Sequence, residues 1–217
     1  MSQPNRSGRR RGRPPVSGPA LASRQAAVLA AAARLVGETP PAELSVEQVI
    51  RAAGTSRPTF YRWFPGGLAQ VMDRLMAEAH SDLLERILQA AALDAPVEER
   101  ISQGIACYFD WAREAGPLAR AIYRDGFDPQ SASARYRHRV LAAVHRIFLE
   151  QAGELGLHHV TPMMVETLVG WIESAMSALM QHYPVSTQQA AQQAGFTADM
   201  VLGVLGRLRQ SATPPSI

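Results

Sequence analysis

The chain of 217 residues contains no lysine; all 22 of its Lys+Arg residues are arginine. A GC-rich genome produces the same bias, so the number of arginines says little about a partner, and only their placement is informative. Cysteine occurs once, at Cys107, which excludes an internal disulfide, suits a reducing cytoplasm and reads as a small core residue. No run of eighteen apolar residues exists, so nothing is expected to span a membrane. Arg24 and Arg34 interrupt the Ala-rich stretch behind the arginines of the N-terminus, which rules out a signal peptide. Also missing are a glycine-rich phosphate loop, a serine elbow and any carboxylate and histidine set at motif spacing. His158 and His159 are adjacent, not three or four apart as two helical ligands of one metal must be. The expectation is no enzyme, no cofactor and no metal. Strand-like alternation is absent too, and apolar residues recur every three or four positions almost throughout, which predicts an all-α protein.

The charge is unevenly spread. Residues 1–19 hold Arg6, Arg9, Arg10, Arg11 and Arg13 and no acid, for +5; residues 20–65 carry +2; the remainder carries −4, giving the net +3. An acidic body with a basic end turns that end toward a polyanion during encounter.

Within that basic end, LSVEQVIRAAGTSRPTFYRWF (44–64) reads as two short helices joined by a tight turn. Ser45 and Gln48 form a capping box, which starts a helix at Val46. Val46, Val49, Ile50 and Ala53 give that helix an apolar face, and Gly54 supplies the left-handed residue that ends it. Ser56 is placed to cap the second helix, Pro58 is tolerated in its first turn, and Phe60 and Phe64 form its buried face. Arg57, Thr59, Tyr61, Arg62 and Trp63 are left to point elsewhere. This is a helix-turn-helix whose second helix is suited to a DNA groove.

The segment AAGTSRPTFYRWF resembles the DNA-binding region of the TetR family of bacterial regulators: a small residue, Ala, Gly, any residue and Ser, then Thr, an apolar residue, Tyr, two variable positions and Phe. The resemblance is sharp over about residues 21–75. It implies that Ser45, Thr59 and Tyr61 hold phosphates and that Arg57, Thr59 and Trp63 face base edges, with Arg62 also at the DNA. One departure stands out: where the family usually has a phosphate-binding Lys after Phe64, this chain has Pro65, Gly66 and Gly67.

The arm RSGRRRGRPPVSGP has no apolar periodicity and is expected to be disordered when free. Arg11, Gly12, Arg13 and Pro14 look like an AT-hook, in which an extended Arg-Gly-Arg segment enters a narrow minor groove; an unspecific phosphate-binding tail that also uses Arg9 and Arg10 fits equally well.

Beyond residue 66 the periodicity predicts helices over 68–91, 97–114, 118–124, 132–155 and 162–182, then a short one over 187–194 stopped by Gly195 and a last one over 198–209; a helix over 23–36 precedes the helix-turn-helix. The helix from Leu68 would be the lever between domains. One recognition helix reads too few base pairs for a genomic address, so a two-fold dimer is expected. In the TetR family the last two long helices form a four-helix bundle with their symmetry mates. Here Leu168, Ile172, Ala175 and Leu179 on one, and Val201, Leu202, Val204, Leu205 and Leu208 on the other, with Gly203 and Gly206 for close approach, are the candidates. Candidate effector-pocket residues are Tyr108, Trp111, Tyr123, Phe127, Met164, Trp171 and Met176. Arg135, Arg137 and Arg139, with His138 and His145 nearby, make one helix start basic enough for an anionic ligand head, although solvent exposure explains them as well.

The reading is an Arg-rich arm (1–19), a three-helix DNA-binding domain (20–66) and a helical effector-binding and dimerisation domain (67–217). Function follows as a cytoplasmic, homodimeric, ligand-responsive transcriptional repressor, released from a double-stranded DNA operator by a mainly apolar small molecule. The alternatives are an architectural, AT-hook-assisted DNA-binding protein without ligand control, and an activator of the same fold.

Overall fold

In the computed structural model, which describes residues 18–39, 43–125 and 133–212, the described residues form nine helices and no strand. They are α1 (Gly18–Glu38), α2 (Val46–Ala52), α3 (Arg57–Trp63), α4 (Gly67–Ala91), α5 (Val97–Ala115), α6 (Pro117–Asp125), α7 (Ala134–Glu154), α8 (Pro162–Met180) and α9 (Thr187–Ala212). The all-α expectation holds. Arg9, Arg10, Arg11, Arg13 and Phe127 lie outside the described residues.

Local chemistry sets most boundaries. The capping box of α2 is complete: Ser45 Oγ accepts from the Gln48 amide at 3.3 Å, and the Ser45 amide donates to Gln48 Oε1 at 2.7 Å. Gly54 follows at φ 61°, a value that costs glycine little and other residues much. Ser56 stands at the N-cap of α3 but makes no capping bond; its hydroxyl donates instead to Thr59 Oγ1 at 2.9 Å. The Pro65-Gly66-Gly67 turn has its own solution. Gly67 turns at φ 66°, and Gln70 reaches back to accept from the Gly66 amide at 2.9 Å, capping α4 without the family's lysine.

The predicted break at Gly195 does not occur, and α9 runs unbroken from Thr187 to Ala212. A helical glycine costs about 1 kcal/mol relative to alanine. The buried stripe Ala190, Ala194, Ala198, Val201 and Leu205, packed largely against α5, outweighs it. The glutamine-bearing start of this helix is a second capping box, with the Ser186 amide donating to Gln189 Oε1 at 2.9 Å and the Gln189 amide to Ser186 Oγ at 3.2 Å.

One apolar core runs from α1–α3 into the body. Near the DNA-binding end it contains Val28, Val36, Val49, Phe60 and Phe64, each 0 or 1% exposed. Helix α1 packs on α6 as well as on α2 and α4. The contact with α6 is close enough that a Cβ on Gly37 would fall 2.2 Å from Pro117 Cβ, so this position requires glycine. Arg124 of α6 donates to the Val36 carbonyl at 3.3 Å across the same junction. The DNA-binding end is therefore tied to the body twice, with α1 packed on α4 and on α6.

Candidate nucleic-acid interface and effector cavity

Helix α3 and its C-cap bury Phe60 and Phe64 and turn Arg57, Tyr61 and Arg62 outward. Arg57 pairs with Glu47 of α2 at 2.7 Å with both side chains largely exposed, and its guanidinium lies 5.8 Å from the Tyr61 ring centroid. Thr59 is half-buried, and Ser45 is held in its capping box. Trp63 departs from the expectation of a base-edge residue. Its ring is half-buried against the core, lines a crevice with Arg24, Ala27, Ala53 and Gly54, and leaves its indole N–H buried without an acceptor. The outward surface of α3 is thus Arg57, Tyr61 and Arg62, with Thr59 beside them.

In the body, α4, α5 and α7 line a partly open cavity of about 90 Å³. Its walls are Leu83 and Ile87 from α4, Ile101 and Ile105 from α5, and Val140, Leu141, Val144 and Phe148 from α7, closed by Ile122 of α6 and Val169 and Ile172 of α8. Gly104 of α5 faces it, and a Cβ built there would meet nothing within 4 Å.

Three of the expected pocket residues line this space: Tyr108, Trp111 and Tyr123. The other described ones do not. Met176 is fully buried in the core, Met164 lies outside the lining, and Trp171 is 49% exposed on the outer face of α8. Helical spacing identified α8 as apolar but not which of its faces looks inward.

The polar groups of the cavity gather at two ends. At one end Tyr123 donates to Tyr108 at 2.5 Å, and Arg137 holds Glu173 through two bonds of 2.9 and 2.5 Å. Burial pushes both tyrosine hydroxyls upward in pKa, so they remain protonated. His80 of α4 is 5% exposed here; its Nδ1 lies 2.8 Å from the Met76 carbonyl, which accepts. Desolvation lowers its pKa, the Met76 hydrogen bond opposes that shift, and the charge of Arg137 adds to it, so the ring is neutral at pH 7.

At the opposite end stand Arg100, paired with Glu154, and Gln151. Gln151 is 4% exposed, and the Nε–H of Arg100 is buried without an acceptor among the described residues. Sequence reasoning missed Gln151, His80 and the Arg137–Glu173 pair. A polar residue in phase with an apolar stripe was the available signal, as with Gln151 four positions after Ile147. The basic start of α7 is largely neutralised: Arg135 pairs with Asp73, and Arg139 stacks over Tyr136. His138 stays exposed, as do His158 and His159.

Of the α9 residues expected at a dimer interface, two are turned inward. Val201 and Leu205 face into the protomer at 1% and 4% exposure, and Leu179, Leu202 and Leu208 are half-buried. The exposed apolar residues on the outer faces are Met163 and Trp171 of α8 and Phe196 and Met200 of α9; Gly203 and Gly206 are exposed with them.

Residues 28–66 match the family described as bacterial regulatory proteins, tetR family. The HTH-type transcriptional regulator EthR of Mycobacterium tuberculosis is 35% identical over 107 residues, covering 45% of this chain and 49% of that protein. Its counterpart in Mycolicibacterium smegmatis is 37% identical over 101 residues, 45% of each chain. The chain thus matches about half the length of these curated relatives. Among solved structures, a tetR-family regulator from Streptomyces coelicolor superposes with a TM-score of 0.62 at 21% identity, covering 88% of both chains. The fatty acid degradation regulator FadR of Bacillus halodurans gives 0.69 at 14% identity, covering 82% of this chain and 97% of its own. At these identities the likeness is one of fold.

Proposed function

Because this chain belongs, through residues 28–66, to the tetR family of bacterial regulatory proteins, we propose that it is a homodimeric, ligand-responsive repressor whose operator affinity is controlled from the cavity between α4, α5 and α7. The DNA-binding domain is taken as residues 20–66 with the preceding arm, and the body as 67–217. One observation carries the reading: a partly open, mostly apolar cavity is lined by α4, which follows α3 and packs on α1, and by Ile122 of α6, the other helix docked on α1. A purely architectural protein has no use for such a hollow, since cavities weaken a core. An occupant that pushes α4 from α5 and α7 would reach α1 and α3 through both junctions. It needs only to prefer the arrangement that DNA does not, and a hundredfold loss of operator affinity requires about 2.7 kcal/mol of coupling.

On the DNA side, Arg57, Thr59, Tyr61 and Arg62 form the proposed contact surface with Ser45, and the arm arginines add charge. Trp63 serves this surface from behind, by packing. For the two-fold partner, the Trp171, Phe196 and Met200 face with Gly203 and Gly206 is the proposed surface, since an apolar face rimmed by polar residues marks association.

The test begins with operator selection from random duplexes. Binding to the selected site should fall roughly 10³- to 10⁵-fold between about 50 and 200 mM salt, as about 6 to 10 phosphate contacts require. Apolar extracts or a compound library should then release the wild type but not Gly104→Phe, which fills the cavity without touching α3. A flat salt dependence would remove the DNA-binding reading; equal release of Gly104→Phe would remove the cavity from the mechanism.

A further inference from the structure

The polar groups along the cavity differ in how fully their hydrogen bonds are made. At one end Tyr123 donates to Tyr108, and Arg137 holds Glu173 through two bonds. At the other, Arg100 donates through Nη1 to the Ala91 carbonyl at 3.3 Å and through Nη2 to Glu154, but its Nε–H is buried without an acceptor among the described residues. A buried donor of a charged group is costly to leave unmet, and an incoming acceptor atom recovers that cost. Glu154 does not shut such an atom out: its side chain is 50% exposed, and an ion pair so open to water holds Arg100 only weakly. Space lies one turn along α5 from Arg100, where a Cβ built on Gly104 would meet nothing within 4 Å. The wall there is otherwise apolar, with Ile101 and Ile105 on the same helix. Size sets the second limit. A dry cavity of about 150 Å³ holds benzene, so a smaller, partly open one takes roughly four to six non-hydrogen atoms.

We propose that the cavity takes a compact molecule, apolar except for one carbonyl or carboxylate oxygen, and that this oxygen accepts from the Nε–H of Arg100. The ligand is then a short ketone, aldehyde or ester, or a short-chain acid. This rests on the effector reading above and names the ligand class of that site. Both kinds of oxygen accept; charge assistance favours the carboxylate, and the cost of burying its charge against apolar walls favours the neutral carbonyl. A long chain finds no room in about 90 Å³, and a plain hydrocarbon leaves the Arg100 donor unmet.

The probes are 2-butanone, propanoate and 2-methyl-1-butene, which have the same number of non-hydrogen atoms; the alkene copies the shape of the ketone without its oxygen. Each is titrated below its solubility limit into the full-length protein near neutral pH. Binding is read by the fluorescence of Trp111, which lines the cavity, and by the rise in melting temperature. In the wild type at least one of the two oxygen probes should bind at least about tenfold tighter than the alkene. An advantage for propanoate makes the natural ligand an acid, an advantage for 2-butanone makes it a neutral carbonyl compound, and either supports the proposal. Arg100→Met removes the donor and keeps an apolar stem, so the advantage of the oxygen probe over the alkene should vanish while the alkene still binds. Tyr108→Phe, at the far end, should leave that advantage unchanged. Because the ratio is taken within one variant, a general loss of stability does not imitate the result. An alkene that binds the wild type as tightly as both oxygen probes, an advantage that survives in Arg100→Met, or no binding by any of the three overturns the proposal and leaves control by another effector standing. The effector reading itself falls only if Gly104→Phe is released from operator DNA like the wild type.

Discussion

The two ends of the molecule bury different kinds of residue. Around α1–α3 the buried set is apolar, and its two phenylalanines are wholly enclosed. Among the described residues the buried polar ones, His80, Ser133, Gln151 and Thr197, lie in the body, as does the cavity, while at the other end the Trp63 indole N–H is buried without an acceptor. A recognition helix must arrive in its groove with fixed geometry, so a filled core beneath it is useful. A body that answers to a ligand needs room and a few polar groups that stay incompletely satisfied until the ligand comes. On the proposed function, one end holds a shape and the other changes it.

The largest test of this contrast is to hollow each core in turn. Phe60→Ala removes an enclosed ring under α3 and should cost about 3 to 5 kcal/mol, because close-packed neighbours cannot collapse into the space. Val144→Ala, on a wall that already faces empty volume, removes fewer contacts and should cost no more than about 1 kcal/mol. Urea unfolding of the two variants checks both. Equal losses would mean that the cavity is packed in solution and the contrast is false.

The same contrast explains what could be read from the chain beforehand. The helices of the helix-turn-helix were legible because their signals are local: Ser45 with Gln48, Gly54, and Phe60 with Phe64 all act within a few positions, whereas the missing Ser56 cap and the inward turn of Trp63 were not. The body's helices were legible from periodicity, yet their facing was not. Val201 and Trp171 both fit an apolar stripe, and only the packing of α9 on α5 turns Val201 inward while Trp171 stays outside. The pairing of Arg137 with Glu173 spans 36 positions, and nothing local announces it.

A second, smaller effect follows from His80. Its folded pKa lies below the ordinary 6.5, mainly through desolvation, so the folded state binds fewer protons than the unfolded chain across the window beneath that value. The stability it allows is complete above about pH 6.5 and declines as pH falls from there toward the folded pKa. Arg137 faces the ring, Tyr136 lies 6.0 Å away, and neither offers a counter-charge. His80→Gln, which cannot titrate, should flatten the fall in melting temperature between about pH 7 and 5 while the region around α1–α3 keeps its own acid response. Parallel curves for variant and wild type would show that His80 is hydrated and that the body is less dry than its burial implies.

The smallest expected effect concerns Glu47, which sits beside Arg57 on the outer surface of the DNA-binding end. Both side chains are more than half exposed, 66% for Arg57 and 54% for Glu47, and an ion pair in water contributes about 0 to 1 kcal/mol, so Glu47→Gln should leave stability within about 0.5 kcal/mol of wild type. DNA binding distinguishes two roles for the pair. If Arg57 is released from Glu47 to meet the duplex, removing a carboxylate near the phosphates should raise affinity a few-fold on every sequence alike, since a unit charge a few ångströms away in water is worth about 1 kcal/mol. Arg57→Ala should then cost about 1 to 3 kcal/mol of discrimination at the base pair it contacts. If Glu47→Gln instead lowers affinity and relaxes the preferred sequence as Arg57→Ala does, Glu47 holds Arg57 in its reading position. Rigidity would then extend from the filled core out to the surface side chains of α3, making the two ends of the molecule more unlike than their cores alone imply.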